Sequence, residues 1–133
     1  MQALHIPATK ETPEVRLDPV NMSFHLSGES YPENAMAFYA PVRASLQSFL
    51  ESPALGSGGS GVQAHFNLRY FNSASTKLIR ALVGMLQQKA AEGIRIVAHW
   101  HHDPDDDMMA EFGADLKDEF DAIEFNLVAS ETA

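Results

Sequence analysis

Between residues 62 and 128 the sequence alternates between the hydrophobic period of a strand and that of a helix. Residues 62–71 (VQAHFNLRYF) alternate apolar and polar side chains, which predicts a strand with one buried face. Residues 73–92 carry apolar side chains at helical spacing, and Gly93 supplies a C-terminal stop. The full series is a strand at 62–71, a helix over 73–92, a strand at 94–100, an acidic helix over 103–120 and a strand at 123–128. Helices of this length between strands imply crossover connections, so the sheet is predicted to be parallel at least in part.

The N-terminal third of the chain adds a hairpin and one more helix. Residues 14–18 (EVRLD) and 22–27 (MSFHLS) are short alternating segments separated by a turn, which predicts an antiparallel hairpin. Pro32 and Asn34 then break the pattern, and residues 35–52 place apolar side chains at helical spacing. The predicted fold class is α/β, with α+β as the alternative, built on a mixed sheet with an N-terminal hairpin and flanking helices.

One domain is predicted over residues 1–133, because a chain of 133 residues is long enough to bury one core. The content of 45% hydrophobic and 20% charged residues is typical of a globular protein and excludes a disordered chain. Residues 53–61 are rich in glycine and serine and cannot bury a face of their own. We therefore predict a flexible surface loop there, inside the domain.

The charge and the residue types argue against several function classes. The net charge of -9 opposes binding to nucleic acids and to anionic membranes. The absence of cysteine excludes disulfides, thiolate metal sites and a cysteine nucleophile. No stretch approaches the roughly 18 apolar residues that a membrane helix needs, and the N-terminus lacks the pattern of a signal peptide. We therefore expect a cytoplasmic protein with no nucleic-acid or membrane partner.

Residues 70–76 (YFNSAST) hold three serine and threonine hydroxyls at a junction between strand and helix. The start of a helix offers unpaired N–H groups and the positive end of the helix dipole, which favour both a capping side chain and an anion. Capping by Asn72 or Ser73 explains one polar side chain. Ser75 and Thr76, however, lie in the first turn, where they favour a helix less than alanine does. A phosphate on Ser73 is the alternative explanation, and the residue pattern alone leaves both open.

The segment 99–103 (HWHHD) raises the question of a metal site. His99 and His101 share a strand face if the strand extends that far. Zinc and iron sites need a third or fourth converging ligand, and the sequence gives no reason for His65 to reach this point. We therefore predict no metal, no cofactor and no catalytic residue. A metal-dependent hydrolase built on His99, His101 and Asp103 remains as the enzyme alternative.

Four short motifs occur in the same order as in a known protein family. They are LHIP at 4–7, SYPEN at 30–34, YFNSASTK at 70–77 and WHHD at 100–103. Together they make the chain resemble the SiaC family of bacterial regulatory phosphoproteins over nearly its whole length. The resemblance implies a small STAS-like domain, similar in fold to anti-anti-sigma factors, that acts as a phosphorylation switch with no catalysis of its own.

The same resemblance implies the partners and the site residues. In the family, a kinase phosphorylates the hydroxyl directly after the asparagine of a Y-x-N motif, and a PP2C-type phosphatase removes the phosphate. The unmodified form binds and activates a diguanylate cyclase, which links the switch to cyclic-di-GMP and biofilm control. The implied acceptor is Ser73, and the residues implied in partner binding are Tyr70, Asn72, Ser73, Ala74, Ser75 and Lys77.

This sequence departs from the type member of the family at two places. Ser73 stands where that protein has threonine, and the Gly/Ser segment at 56–61 resembles an insertion relative to that protein. Serine keeps the hydroxyl that accepts the phosphate, so the departure bears on kinase preference. A STAS-type antagonist of an anti-sigma factor is the alternative among binding proteins.

Overall fold

The computed structural model describes residues 3–52 and 61–130, and in these residues the predicted series of strands and helices is confirmed. The elements are β1 (Leu4–Ile6), β2 (Glu14–Asp18), β3 (Ser23–Ser30), α1 (Ala35–Leu50), β4 (Val62–Phe71), α2 (Ser73–Ala91), β5 (Ile96–His102), α3 (Asp107–Glu119) and β6 (Glu124–Ala129). Apart from Gly61, the predicted Gly/Ser loop at 53–61 lies outside the described residues. No helix among the described residues is long and apolar enough to cross a membrane.

The strands form one sheet whose spatial order, β1-β2-β3-β4-β5-β6, is also their order along the chain. The pairs β1–β2 and β2–β3 are antiparallel, so the predicted hairpin is confirmed. The pairs β3–β4, β4–β5 and β5–β6 are parallel, as the predicted crossovers require. The fold is therefore mixed α/β.

The three helices each connect neighbouring parallel strands, and all three steps run in the same direction across the sheet. Because such crossovers are right-handed, they place the helices on one face of the sheet. The core fills the space between that face and the helices, and its largest fully buried side chains include Trp100, Tyr39, Phe24, Phe49 and Phe66. The opposite face, which no described helix covers, carries the polar positions of the strands.

Apart from shifts of one residue, three strands differ from the sequence prediction. β3 runs from Ser23 to Ser30, whereas the predicted strand covers 22–27, because its pairing with β4 continues to Ser30. β5 runs from Ile96 to His102, whereas the predicted strand covers 94–100, because His101 and His102 still pair with β6. The sequence patterns do not predict β1, since its three residues are too few to display a period. The register of Leu4–Ile6 opposite β2 identifies it as the edge strand of the sheet.

The acidic run before α3 forms the predicted helix start. α3 begins at Asp107 and not at residue 103, because Asp106 is its N-cap and accepts a hydrogen bond from the N–H of Met109 at 3.0 Å. Asp103 accepts the N–H of Asp105 at 2.8 Å within the preceding turn. Both carboxylates thus organise the connection between β5 and α3.

Candidate functional site

The junction between β4 and α2 is capped by Asn72. Its side-chain oxygen accepts a hydrogen bond from the N–H of Ser75 at 3.0 Å, and its backbone is extended, as in an ordinary N-cap. Its own N–H donates to the carbonyl of Ser30 at 3.0 Å, which ties the junction to the end of β3. The cap is therefore complete without help from the neighbouring Ser73.

Ser73 is the first residue of α2, and its side chain is exposed. Within the described part of the chain its hydroxyl makes no hydrogen bond, whereas the other two hydroxyls of the segment are engaged. The Thr76 hydroxyl donates to the carbonyl of Asn72 at 3.1 Å, back along the first turn. Of the three hydroxyls, only that of Ser73 is exposed to solvent and free of an intramolecular bond.

Ser75 is fully buried and belongs to a chain of hydroxyls beneath the surface. The Ser30 hydroxyl donates to that of Ser75 at 2.9 Å and lies 2.7 Å from the phenol oxygen of Tyr39, so the phenol O–H donates in turn to Ser30. Burial raises the pKa of Tyr39 to about 12, which keeps the phenol protonated and able to donate at neutral pH. This series of hydroxyls joins the end of β3 and the start of α1 to the first turn of α2.

Ser75 differs from the other residues implied in partner binding because it is fully buried. Its hydroxyl bonds that of Ser30 and so holds the first turn of α2 from beneath. The other implied partner-binding residues are accessible: Tyr70, Ser73, Ala74 and Lys77 are exposed, and Asn72 is half-buried.

The SYPEN segment and the YFNSAST segment meet at this junction. Ser30 contacts Ser75 as described, and the ring of Tyr31 packs edge-on against that of Tyr70, with ring centres 5.8 Å apart. Asn34 at the end of the segment caps α1 by accepting the N–H of Ala37 at 3.0 Å. Two separate sequence motifs therefore build one surface.

The start of α2 is electrostatically suited to an added negative charge. Its first turn contains no acidic residue, so no carboxylate of α2 itself competes with a new anion for the positive end of the helix dipole. Lys77 lies four residues after Ser73, on the same side of the helix, and is exposed. An anionic group on Ser73 would lie within reach of both.

Ser73 lies between two surface grooves. One runs between the end of β4 and α3, and the other between the starts of α1 and α2. The first is lined by Arg69, Tyr70, Phe71, Ser73, Thr76, Asp106, Met108, Met109 and Phe112. The second is lined by Glu33, Asn34, Ala35, Met36, Ser73, Ala74, Lys77 and Leu78. We call the two together the Ser73 grooves.

Large apolar side chains are exposed in both grooves. Met36 is 74% exposed, Met108 is 82% exposed and Tyr70 is 51% exposed. They make up three of the five large hydrophobic residues that are exposed among the described residues. Exposed apolar groups gathered around one point are typical of a protein-binding surface.

The helical spacing over residues 35–52 includes Met36 and predicts a core position for it, which is wrong because Met36 lies in the first turn of α1 and is 74% exposed. Met108, in the first turn of α3, was not identified from the sequence.

The hydrolase alternative finds no support in the geometry. His99 and His101 do share a strand face, and the pairing of β4 with β5 brings His65 opposite His99. The rings of His65 and His99 are stacked face to face, however, with ring centres 4.6 Å apart. The carboxylate of Asp103 accepts the N–H of Asp105 and so stabilises the turn before α3. Among the described residues, no group of three or more potential ligands is arranged to hold a metal ion.

Comparison with known proteins gives consistent matches along the chain. A family model described as SiaC family regulatory phosphoprotein matches residues 6–130. An uncharacterized protein of Pseudomonas aeruginosa is 26% identical over 119 residues, which cover 90% of this chain and 90% of that protein.

Solved structures share the fold. The crystal structure of apo-SiaC from Pseudomonas aeruginosa superposes with a TM-score of 0.80 at 24% identity, covering 98% of this chain and 100% of that chain. A chain in the crystal structure of the diguanylate cyclase SiaD in complex with its activator SiaC, from the same organism, gives a TM-score of 0.80 at 25% identity, covering 95% of this chain and 97% of that chain.

Proposed function

Because this chain belongs to the SiaC family of regulatory phosphoproteins, whose model matches residues 6–130, we propose that it is a non-catalytic signalling protein switched by phosphate on Ser73. The observation that carries the proposal is the division of labour at the start of α2. Asn72 caps the helix and Ser75 anchors it, while the Ser73 hydroxyl is exposed and unbonded. The hydroxyl of Ser73 therefore makes no contribution to the fold that would account for a serine at this position.

The unmodified protein docks a partner on the Ser73 grooves, and phosphate prevents that docking. A phosphoryl group adds roughly -1.5 to -2 charges and a tightly held hydration shell. Placed between Met36 and Met108, it must be desolvated when an apolar partner surface covers it, which opposes the complex. In the free protein the same group is favoured by the start of α2 and by Lys77.

The partner we propose is a diguanylate cyclase. The structural relative named SiaC is described as the activator of the diguanylate cyclase SiaD, and it matches 97% of its length with this chain. A protein kinase and a PP2C-type phosphatase would add and remove the phosphate. The kinase needs ATP, so we propose that the switch operates in the cytoplasm.

The phosphorylation is tested with a candidate protein kinase from the same organism. Incubation with that kinase and ATP, followed by mass spectrometry of peptides, is expected to place one phosphate on Ser73 and none in the Ser73→Ala variant. Thr76→Ala is the matched control, since it removes a neighbouring hydroxyl whose bond to Asn72 makes it a poor acceptor. Phosphate on another residue in the wild type, or unchanged modification of Ser73→Ala, would contradict the proposal.

Partner docking is tested with charged substitutions in the grooves. Met36→Asp and Met108→Asp are each expected to weaken binding to the cyclase by about tenfold or more, because a carboxylate replaces an apolar contact that becomes desolvated in the complex. Both side chains are exposed, so folding should be unaffected.

The control for docking is Val20→Asp. Val20 is 89% exposed, in the turn that precedes β3, at the opposite end of that strand from Ser30. Isothermal titration calorimetry should give wild-type affinity for this variant. Equal affinity of all four proteins would place the docking surface elsewhere. Recovery of an anti-sigma factor in place of a cyclase in a pull-down would favour the STAS-type alternative.

A further inference from the structure

The open face of the sheet carries a row of stacked imidazoles. His25 on β3, His65 on β4 and His99 on β5 are paired in register across three parallel strands. The rings of His25 and His65 are 4.7 Å apart with planes 7° from parallel, and those of His65 and His99 are 4.6 Å apart at 13°. His101, two residues after His99, adds a fourth ring 5.9 Å from that of His65. We call these four residues the histidine row.

The neighbours of the row do not neutralise positive charge on it. Arg16 is the register partner of His25 on one side, and Asn126 is that of His99 on the other. The Nε2–H of His99 donates to the side-chain oxygen of Gln63 at 2.8 Å. A neutral imidazole can donate this bond, so the bond does not require a charged ring. No carboxylate among the described residues bonds a ring of the row.

The charged and titratable groups around the row form ion pairs and hydrogen bonds with other side chains. On β1 and β2, His5 and Arg16 both contact Glu14, at 2.9 and 3.2 Å, and Asp18 accepts the Asn21 side chain at 2.6 Å. Beside β3 and β4, Glu29 pairs with Arg69 at 3.5 Å, and beside β5 and β6, Arg95 pairs with Glu124 at 2.6 Å. These carboxylates therefore have other bonding partners, and none of them bonds a ring of the row.

The environment disfavours protonation of the row. Desolvation, followed by the charges of His25, His99 and His101, lowers the pKa of His65 to about 4. Desolvation is also the main cause that lowers the pKa of His101, with His99 adding to it. For His25, desolvation and then Arg16 lower the pKa, against opposing contributions from Glu14 and Asp18. Neutral rings can stack at these distances, whereas charged rings repel.

We propose that the histidine row is a proton-responsive element that weakens the pairing of β3, β4 and β5 when the surroundings become acidic. The row spans the middle of the sheet, so proton uptake acts on the strands that support the core. It also acts on β4, whose last residue, Phe71, lies two positions before Ser73. The proposal is independent of phosphorylation.

The direction of the effect follows from proton linkage. A histidine in the unfolded chain takes up a proton as the pH falls through about 6.5, whereas His65 in the folded protein stays neutral until about pH 4. Below pH 6.5 the unfolded state thus binds more protons than the folded state. Stability contributed by the neutral row is present above that pH and is lost progressively as the pH falls toward 4.

The test compares the wild type with the His65→Gln variant, which removes the centre of the row. We expect the folding equilibrium constant of the wild type to fall by about tenfold more than that of the variant between pH 7 and pH 5, with the pKa shift discounted for the half-exposed rings. Urea unfolding at a series of pH values measures both curves. The control is Val20→Gln, which introduces the same side chain at an exposed position outside the row, removes no titratable group and should keep the wild-type slope.

NMR of the wild type gives a second readout that does not depend on the variant folding. The ring protons of His65 should titrate at least one pH unit below the ordinary histidine value of about 6.5. Amide exchange in β4 and β5 should accelerate on acidification more than in β1 and β2. Parallel pH curves for the wild type and His65→Gln, or a titration of His65 near pH 6.5, would overturn the proposal.

Discussion

Alanine at position 113 is expected to lower the free energy of unfolding by about 2–3 kcal/mol. Gly113 lies in α3 directly over the indole of Trp100, and a methyl group there would come within 2.8 Å of both the indole nitrogen and a methyl carbon of Leu127. The indole cannot yield, because its N–H donates to the carbonyl of Met109 at 3.0 Å and its ring packs among Phe66, Phe71 and Phe112. The larger Gly113→Val change should cost more.

Gly84→Ala is the matched control, because it makes the same change in the middle of α2. A methyl group at that position would approach only the ring of Phe120, at 3.8 Å, which is an ordinary contact. The higher helix propensity of alanine should therefore raise the free energy of unfolding by about 0.5–1 kcal/mol. Urea unfolding measures both variants, and a Gly113→Ala protein as stable as Gly84→Ala would refute the close packing of α3 on Trp100.

The Ser75→Asp substitution is expected to destabilise the protein by about 3–5 kcal/mol, because it buries a charge without a cationic partner. Ser75 is fully buried, and its neighbours in the hydroxyl chain are Ser30 and Tyr39. Neither neighbour carries a positive charge. The variant should unfold at a markedly lower temperature and recover part of its stability at acid pH, where the carboxyl is neutral.

The same substitution two residues earlier should be nearly neutral for folding. Ser73→Asp puts its charge on an exposed side chain at the start of α2, where the helix dipole contributes about 0.3–1 kcal/mol in its favour. Thermal unfolding by circular dichroism compares the pair directly. Equal destabilisation by both substitutions would contradict the different burial of the two serines on which the proposed switch depends.

The hydrophobic periods of the sequence were sufficient to predict most of the fold. β4 and α2 are recognised because their buried positions, such as Phe66 and Leu82, recur at two and at three or four residues. The parallel pairing then follows from the length of the crossovers. β1 was missed because three residues display no period, and the pairing that defines it is made with β2, which lies further along the chain.

The candidate site was predicted only in part, because local sequence patterns do not indicate which residues become neighbours across the sheet. The position of Ser73 at a helix start follows from the sequence around it, but the burial of Ser75 depends on its bond to Ser30, which lies 45 positions earlier and is itself bonded to Tyr39. The encounter of His65 with His99 likewise depends on register. Local periodicity specifies which face a residue occupies, and only the register specifies its neighbour.

The coincidence of sheet order with chain order has a consequence for how the protein is made. Every strand pairs with the strand that left the ribosome just before it, so each newly synthesised strand finds its partner already in place. The antiparallel pairings close across short turns, whereas each parallel pairing must wait until the intervening helix has been synthesised. The sheet can therefore grow from its N-terminal edge during translation, with β4, β5 and β6 added one by one onto a finished hairpin.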